Sequence, residues 1–508
     1  VPPEPEFFRR AEESADRTAI VDARGRHRYG EVLAASRRIG DALAGSARPE
    51  RAAPGETAVP LPPVAFLVEP GFAWVAALWG IWHAGRMAVP LATSHPPAEL
   101  QYVIRDSGAG SVVVDGLHAK RLEGLEARLG VEVHPVEALL GGSGALARPP
   151  GRPTSREDLA LVFYTSGTTG TPKGVVLTHG NLEAQVTSLV SAWGWRADDA
   201  ILNVLPLHHV HGVVNVVLCA LWSGASCEFT GFEADAVWRR FAAGGLTLFM
   251  AVPTIYARLA AAFDAAAPTE QARMREACRG FRLMVSGSAA LPVSLLERWR
   301  EISGQVLLER YGMTEIGMAL SNPLTAARRP GHVGQPLPSV QVRVVDEAGL
   351  PVAAGLPGEI EVRGPTVFRE YLGRPEATAA AFHDGWFRTG DVAVVEDGSY
   401  RILGRKSVDI IKSGGYKLSA LEIEAVLGEH PGIAECAVVG VADEEYGERV
   451  AVAVVLHAGA TLDLKLLRAW ARERLASYKL PTRLREVTAL PRNAMGKVVK
   501  PDVTALFR

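Results

Sequence analysis

From about residue 60 to residue 320, short apolar runs alternate with amphipathic helical patterns, and this constrains the fold more than any other feature. "AALWGIWHAGRMAVPL" reads as a helix running into a strand, and "GSVVVDG" as a strand closed by a turn. "ADAVWRRFAAGGLTLFMAVPTIYARLAAAF" reads as helix, Gly-Gly break, strand and helix. Strands separated by helices predict an α/β protein, its mostly parallel sheets covered on both faces. From about 332 to 404 the texture changes. "VQVRVVDEAG", "GEIEVRG" and "VAVVEDGSYRILG" are short alternating runs with Gly turns, which predict a small β-rich subdomain. Beyond "GRKSVDIIKSGGYK" lies a compact α+β module. The expected plan is a large N-terminal domain over 1–404, with its β-rich part at 332–404. A hinge follows near 405–407, then a smaller mobile domain over 408–508. Residues 139–153, "LLGGSGALARPPGRP", read as a loop inside the first domain.

Composition narrows the partners. A net charge of −2 gives no electrostatic case for a nucleic-acid or membrane-surface partner. The four cysteines (Cys219, Cys227, Cys278, Cys436) are scattered, with no C-x-x-C pair, so buried reduced thiols are expected rather than a disulfide framework or a zinc site. No run of about eighteen apolar residues occurs, and "VPPEPEFFRRAEES" lacks the apolar core of a signal peptide. The expectation is a cytoplasmic protein with small-molecule substrates and no obligatory protein partner.

"YTSGTTGTPKG" (164–174) follows the apolar run Leu159 to Phe163. Its glycines let backbone approach an anion closely, its hydroxyls add donors, and Lys173 adds a positive charge. It is not the G-x-x-x-x-G-K-[ST] loop of ordinary NTPases, because Gly174 replaces the magnesium-binding hydroxyl after the lysine.

The order S-G-T-T-G-x-P-K-G resembles the phosphate-loop signature of the adenylate-forming superfamily of acyl-CoA synthetases, adenylation domains and luciferases. "YGMTE" (311–315), "TGD" (389–391), Gly404-Arg405, "KSGGYKLSALEIE" (412–424) and "PRNAMGKV" (491–498) stand in that superfamily's order and spacing. The resemblance implies a two-step reaction. A carboxylate attacks the α-phosphorus of ATP to give an acyl adenylate and pyrophosphate, and the thiol of coenzyme A then displaces AMP. Thr165, Ser166, Gly167, Thr168, Thr169, Gly170 and Lys173 would cradle the departing phosphates. Tyr311 would pack on adenine, and Gly287, Ser288, Ala289, Glu309, Gly312 and Met313 would line the nucleotide site. Thr314 would meet the α-phosphate, and Glu315 would hold Mg2+. Asp391 would accept both ribose hydroxyls, with Arg405 a second ribose contact. Lys497 would bridge carboxylate and α-phosphate during adenylation. Ser413, Gly414, Gly415 and Tyr416 would line the thiol channel after a domain swing, with Ser407 at the hinge.

In "PLHHVHG" (206–212) three His within four residues invite a metal reading, yet no further ligand cluster accompanies them. By resemblance His209 is the gate histidine beside the acyl site, and His211 a pocket wall. "FRLMVSGSAALP" and "LLERYGMTEIGMALSNP" resemble malonyl-CoA and methylmalonyl-CoA synthetases more than other branches. A short dicarboxylate needs a cation for its second carboxylate, and Arg pairs in bidentate fashion. Arg310 is the first candidate and Arg282 the second, with His211, Ser286 and Met313 as walls. Another short acid, or a separate carrier protein's arm, stays open as the acceptor chemistry. An ADP-forming ATPase is the rival from a different class.

Overall fold

The computed structural model describes residues 6–46, 61–141, 155–165, 172–413, 416–492 and 498–508. Among these residues two large mixed sheets and two smaller ones carry the fold. In the first large sheet Ala88–Pro90, Val64–Leu67, Ser111–Val114 and Glu132–Pro135 run parallel. Leu159–Thr165 joins parallel to Ala88–Pro90, and Lys173–Thr178 then folds back antiparallel on it. The second large sheet has a parallel core of Leu308–Met313, Leu283–Ser286, Leu248–Ala251, Ala200–Asn203, Ser226–Phe229 and Thr18–Asp22, with antiparallel strands at its margins. The segment before residue 60, whose pattern predicted no element, supplies an edge of this sheet through Thr18–Asp22 and Gly25–Arg28.

One apolar core spans both large sheets and the helices Tyr29–Ser46 and Phe72–His83. Phe72–His83 is apolar on nearly every side, as a helix enclosed on all faces must be. The two helices touch through glycines. A Cβ on Gly80 would fall 2.6 Å from Ile39, and one on Gly40 would fall 2.8 Å from the Cβ of His83. Larger residues there would force the helices, and with them the sheets, apart.

The third sheet comprises Gln341–Val345, Gly358–Arg363, Phe382–His383, Trp386–Glu396 and Ser399–Arg405, the predicted β-rich part. The fourth is built only from strands after residue 409, with the hairpin Ile433–Asp443 and Gly447–Leu456 at its centre. The stretch expected to be a loop from 139 begins instead as the end of the helix Val136–Gly141; residues 142–154 lie outside the described residues. All four cysteines are free thiols, three of them buried. No helix of the described residues is long and apolar enough to cross a membrane.

Candidate active site

Among the described residues, contacts join Lys173 of the first large sheet, Tyr311 and Glu315 of the second, and Asp391 and Arg405 of the third. Thr165 and Lys173 are register partners, so the two strands that flank the Thr/Gly-rich segment pair antiparallel. Ser166, Gly167, Thr168, Thr169 and Gly170 lie outside the described residues. Both flanks of the segment are tied down: Tyr164 donates from its hydroxyl to Asp106 at 2.9 Å, and Tyr102 donates to the Pro172 carbonyl at 2.7 Å. Lys173 Nζ stands 5.3 Å from the ring centroid of Tyr371, whose hydroxyl donates to Glu315 Oε1 at 3.0 Å. Burial raises the Glu315 carboxyl, and the Tyr371 bond partly opposes it. A buried carboxylate oriented by Tyr371 offers the kind of oxygen ligand that suits a hard cation.

The nucleoside side is built around Asp391. Tyr311 donates to Asp391 Oδ2 at 2.5 Å, and Arg405 Nε lies 2.9 Å from Asp391 Oδ1. Arg405 also donates to the Thr389 carbonyl at 2.9 Å. Gly312 must be glycine, because a Cβ would lie 2.1 Å from the Gly317 carbonyl oxygen across the hairpin bulge. Thr314 opens the turn that follows, half-buried like Met313. Ser288 has φ 71, a left-handed conformation that L-residues hold only under strain and that gathers at functional sites. Gly287 beneath it is buried, and Ala289 beside it is exposed. Glu309 accepts from the Gly331 amide at 3.0 Å, and burial pushes its carboxyl up to about 8.

Arg310 alternates with Glu309 and Tyr311 along Leu308–Met313, so it leaves the opposite face of the strand. It is 3 % exposed, and Nη2 donates to Ser288 Oγ at 3.3 Å. Its Nε has no partner, and no carboxylate among the described residues pairs with it. Burial pulls the guanidinium down to about 9, which leaves it charged at neutral pH. The space for it comes from Gly287, where a Cβ would sit 2.6 Å from Arg310 Cζ. Ser288 Oγ lies 3.3 Å from His211 Nδ1, which links Arg310, Ser288 and His211 in a chain. Burial, and then Arg310 and His209, hold His211 well below the usual imidazole range.

Arg282 does not join this group. Its Nε donates to Asp199 at 2.7 Å, a second nitrogen pairs with the same carboxylate, and Nη1 donates to the Trp193 carbonyl at 3.1 Å. A guanidinium so committed has a packing role at the start of its strand. Ser286 also departs from expectation. It pairs in register with Glu309 and alternates with Val285, so it sides with Glu309 rather than Arg310. His209 is half-buried, its Nε2 is buried without a partner among the described residues, and its ring lies 4.1 Å from that of His208. Burial holds His209 down to about 4. No group of three or more potential metal ligands occurs among the described residues.

The AMP-binding enzyme family profile matches residues 7–372, and the AMP-binding enzyme C-terminal domain matches residues 422–497. The chain belongs to the AMP-binding enzyme family. A mitochondrial malonate–CoA ligase of Mus musculus is 47% identical, covering 98% of this chain and 89% of its own. A malonate–CoA ligase of Arabidopsis thaliana is 40% identical, covering 98% and 87%. Among solved structures, ATP-bound MatB of Rhodopseudomonas palustris superimposes with TM-score 0.88 at 33% identity, covering 99% of both chains.

In this AMP-binding enzyme the residues expected at the hinge and thiol channel make contacts of their own. Ser413 and Tyr416 close a hairpin, and Tyr416, exposed, stacks on Tyr478 at 4.4 Å. Gly414, Gly415 and Lys497 lie outside the described residues. Ser407 is exposed between two anchors. On one side Lys406 donates to Glu359 at 3.1 Å, and on the other Asp409 accepts from the Arg405 amide at 3.0 Å. Sequence reasoning missed Tyr371, which joins Lys173 to Glu315. It carries no motif of its own, and only the pairing of Glu370–Tyr371 with Lys173–Thr178 brings it there.

Proposed function

We propose that this enzyme ligates malonate, and methylmalonate with it, to coenzyme A through an acyl adenylate, releasing AMP and pyrophosphate. The observation that carries the reading is Arg310: a buried, charged guanidinium with no carboxylate among the described residues to pair with, one residue before Tyr311. An unpaired buried charge is strongly unfavourable, so an anion that arrives with the substrate is its natural partner. The relatives named malonate–CoA ligase support the same acid.

In this reading Arg310 holds the distal carboxylate, with His211 and Met313 as walls and His209 at the entrance. The reacting carboxylate then points to the α-phosphate, where Thr314 donates and Lys497 bridges the two groups. Asp391 accepts the ribose hydroxyls, and the Arg405 contact keeps that carboxylate aimed. Glu315 would hold Mg2+, which supplies charge neutralisation on the triphosphate. Lys173 and the hydroxyls of 165–170 receive the leaving pyrophosphate. For the second step, residues 408–508 pivot near 405–407 and bring the Ser413 to Tyr416 loop to the site, where the thiol displaces AMP. A cytoplasmic setting and the lack of an obligatory protein subunit belong to the same proposal.

Purified enzyme with malonate, ATP, Mg2+ and coenzyme A should yield malonyl-CoA with AMP and pyrophosphate in equal amounts. Formation of ADP, or no thioester from malonate, would reject the reading.

A further inference from the structure

His211–Leu218 is wound as a π-helix, and such i→i+5 turns are frequent at functional sites. Within its apolar run Asn215 is fully buried, and neither Nδ2 nor Oδ1 has a partner among the described residues. A carboxamide shut away without hydrogen bonds is costly, whereas an apolar side chain of similar shape would pack there at no such cost. Packing therefore gives no reason for an asparagine at 215.

Its place on the helix gives one. Asn215 follows His211 by one turn on the same face, and His211 reaches Arg310 through Ser288. Arg310 can only donate, so Ser288 Oγ accepts from it and joins it to His211 Nδ1. Arg310 Nε, His211 Nε2 and the Asn215 amide are buried polar atoms without partners among the described residues.

We propose that Asn215 is a specificity residue of the acid pocket. Its Nδ2 donates to the distal carboxylate of a dicarboxylic acid held by Arg310. This rests on the dicarboxylate reading above and adds a contact that neither Arg310 nor His211 can make. A monocarboxylic acid leaves the amide unmatched, so Asn215 favours malonate over acetate on both counts.

The test is kcat/KM for malonate and for acetate in wild type, Asn215→Leu and Asn215→Asp, together with thermal melts. Asn215→Leu should lose about 10- to 100-fold on malonate, the range for one hydrogen bond to a charged group. Its acetate value should stay within about threefold, and its melting temperature should not fall. Asn215→Asp should lose more on malonate, because its carboxylate competes for Arg310. Equal losses on both acids, an unchanged malonate value, or an Asn215→Leu protein that fails to fold would overturn the proposal. If wild type favours malonate and Asn215→Leu keeps the same ratio, only Asn215 loses its role. If wild type shows no preference for malonate, the dicarboxylate reading falls and this one with it.

Discussion

Arg405 Nε sits 2.9 Å from Asp391 Oδ1, while Tyr311 donates to the other oxygen of the same carboxylate at 2.5 Å. Both oxygens are thereby oriented from opposite sides, one by the last strand before the proposed pivot and one by the nucleotide motif. In the proposed reading Arg405 also begins the pivot, which would link ribose binding and domain position through a single side chain. Arg405→Ala should raise KM for ATP by roughly 5- to 20-fold, the loss of a partly solvated charge-assisted contact. Steady-state titration with ATP checks this, and an unchanged KM would detach Arg405 from the ribose.

Arg282 and Arg310 make opposite predictions. Asp199 is the buried member of the Arg282 pair, with a side chain 2% exposed. Removing its partner strands that carboxylate, at about 2–4 kcal/mol of stability. Arg282→Met should lower the denaturation midpoint and leave the ratio of malonate to acetate turnover unchanged. A shifted ratio with unchanged stability would return Arg282 to the acid pocket.

How much of this was legible beforehand depends on distance along the chain. The phosphate loop, the Tyr311 to Glu315 run, Asp391 and Arg405 are local strings; among their described residues, Asp391 meets Tyr311 and Arg405, and Tyr371 stands between Lys173 and Glu315. Arg282 and Arg310 look alike in the sequence, since each lies in a stretch that resembles malonyl-CoA synthetases. Only Asp199, 83 positions away from Arg282, tells them apart. The antiparallel pairing at Thr165 and Lys173 was likewise invisible, because strand direction is fixed by pairing and not by composition. Ser286 was misjudged for a simpler reason: a one-residue step along a strand moves a side chain to the other face. The π-helix at His211 has no periodicity that separates it from an α-helix over eight residues.

Glu309 gives a pH signature. Its carboxyl lies at about 8 in the fold against an ordinary 4.5. Between those values the native state keeps the proton while the unfolded chain gives it up. Stability contributed by this group is full below about 4.5 and is lost as pH rises toward 8. Glu309→Gln abolishes that titration and keeps an acceptor for the Gly331 amide. The variant should therefore gain stability relative to wild type between pH 5 and pH 8, read from urea midpoints. A constant difference across that interval would mean that Glu309 is ionised in the fold.

Lys497 is assigned by its motif alone. Lys497→Ala should slow adenylate formation by on the order of 10²–10³, as loss of a preorganised charge contact does. Thioester formation from supplied malonyl adenylate and coenzyme A should survive. Equal damage to both half-reactions, in single-turnover assays, would contradict its placement in the first step.

The central claim is that a buried arginine selects the acid, and the measurement closest to it is kcat/KM for malonate and acetate in wild type and Arg310→Met. Wild type should prefer malonate strongly. Arg310→Met should cut the malonate value by about 2–4 kcal/mol in transition-state terms, the usual cost of stranding one member of a buried charge pair, and leave acetate nearly unchanged. A parallel fall on both acids, or a wild type that prefers the monocarboxylate, would contradict the account.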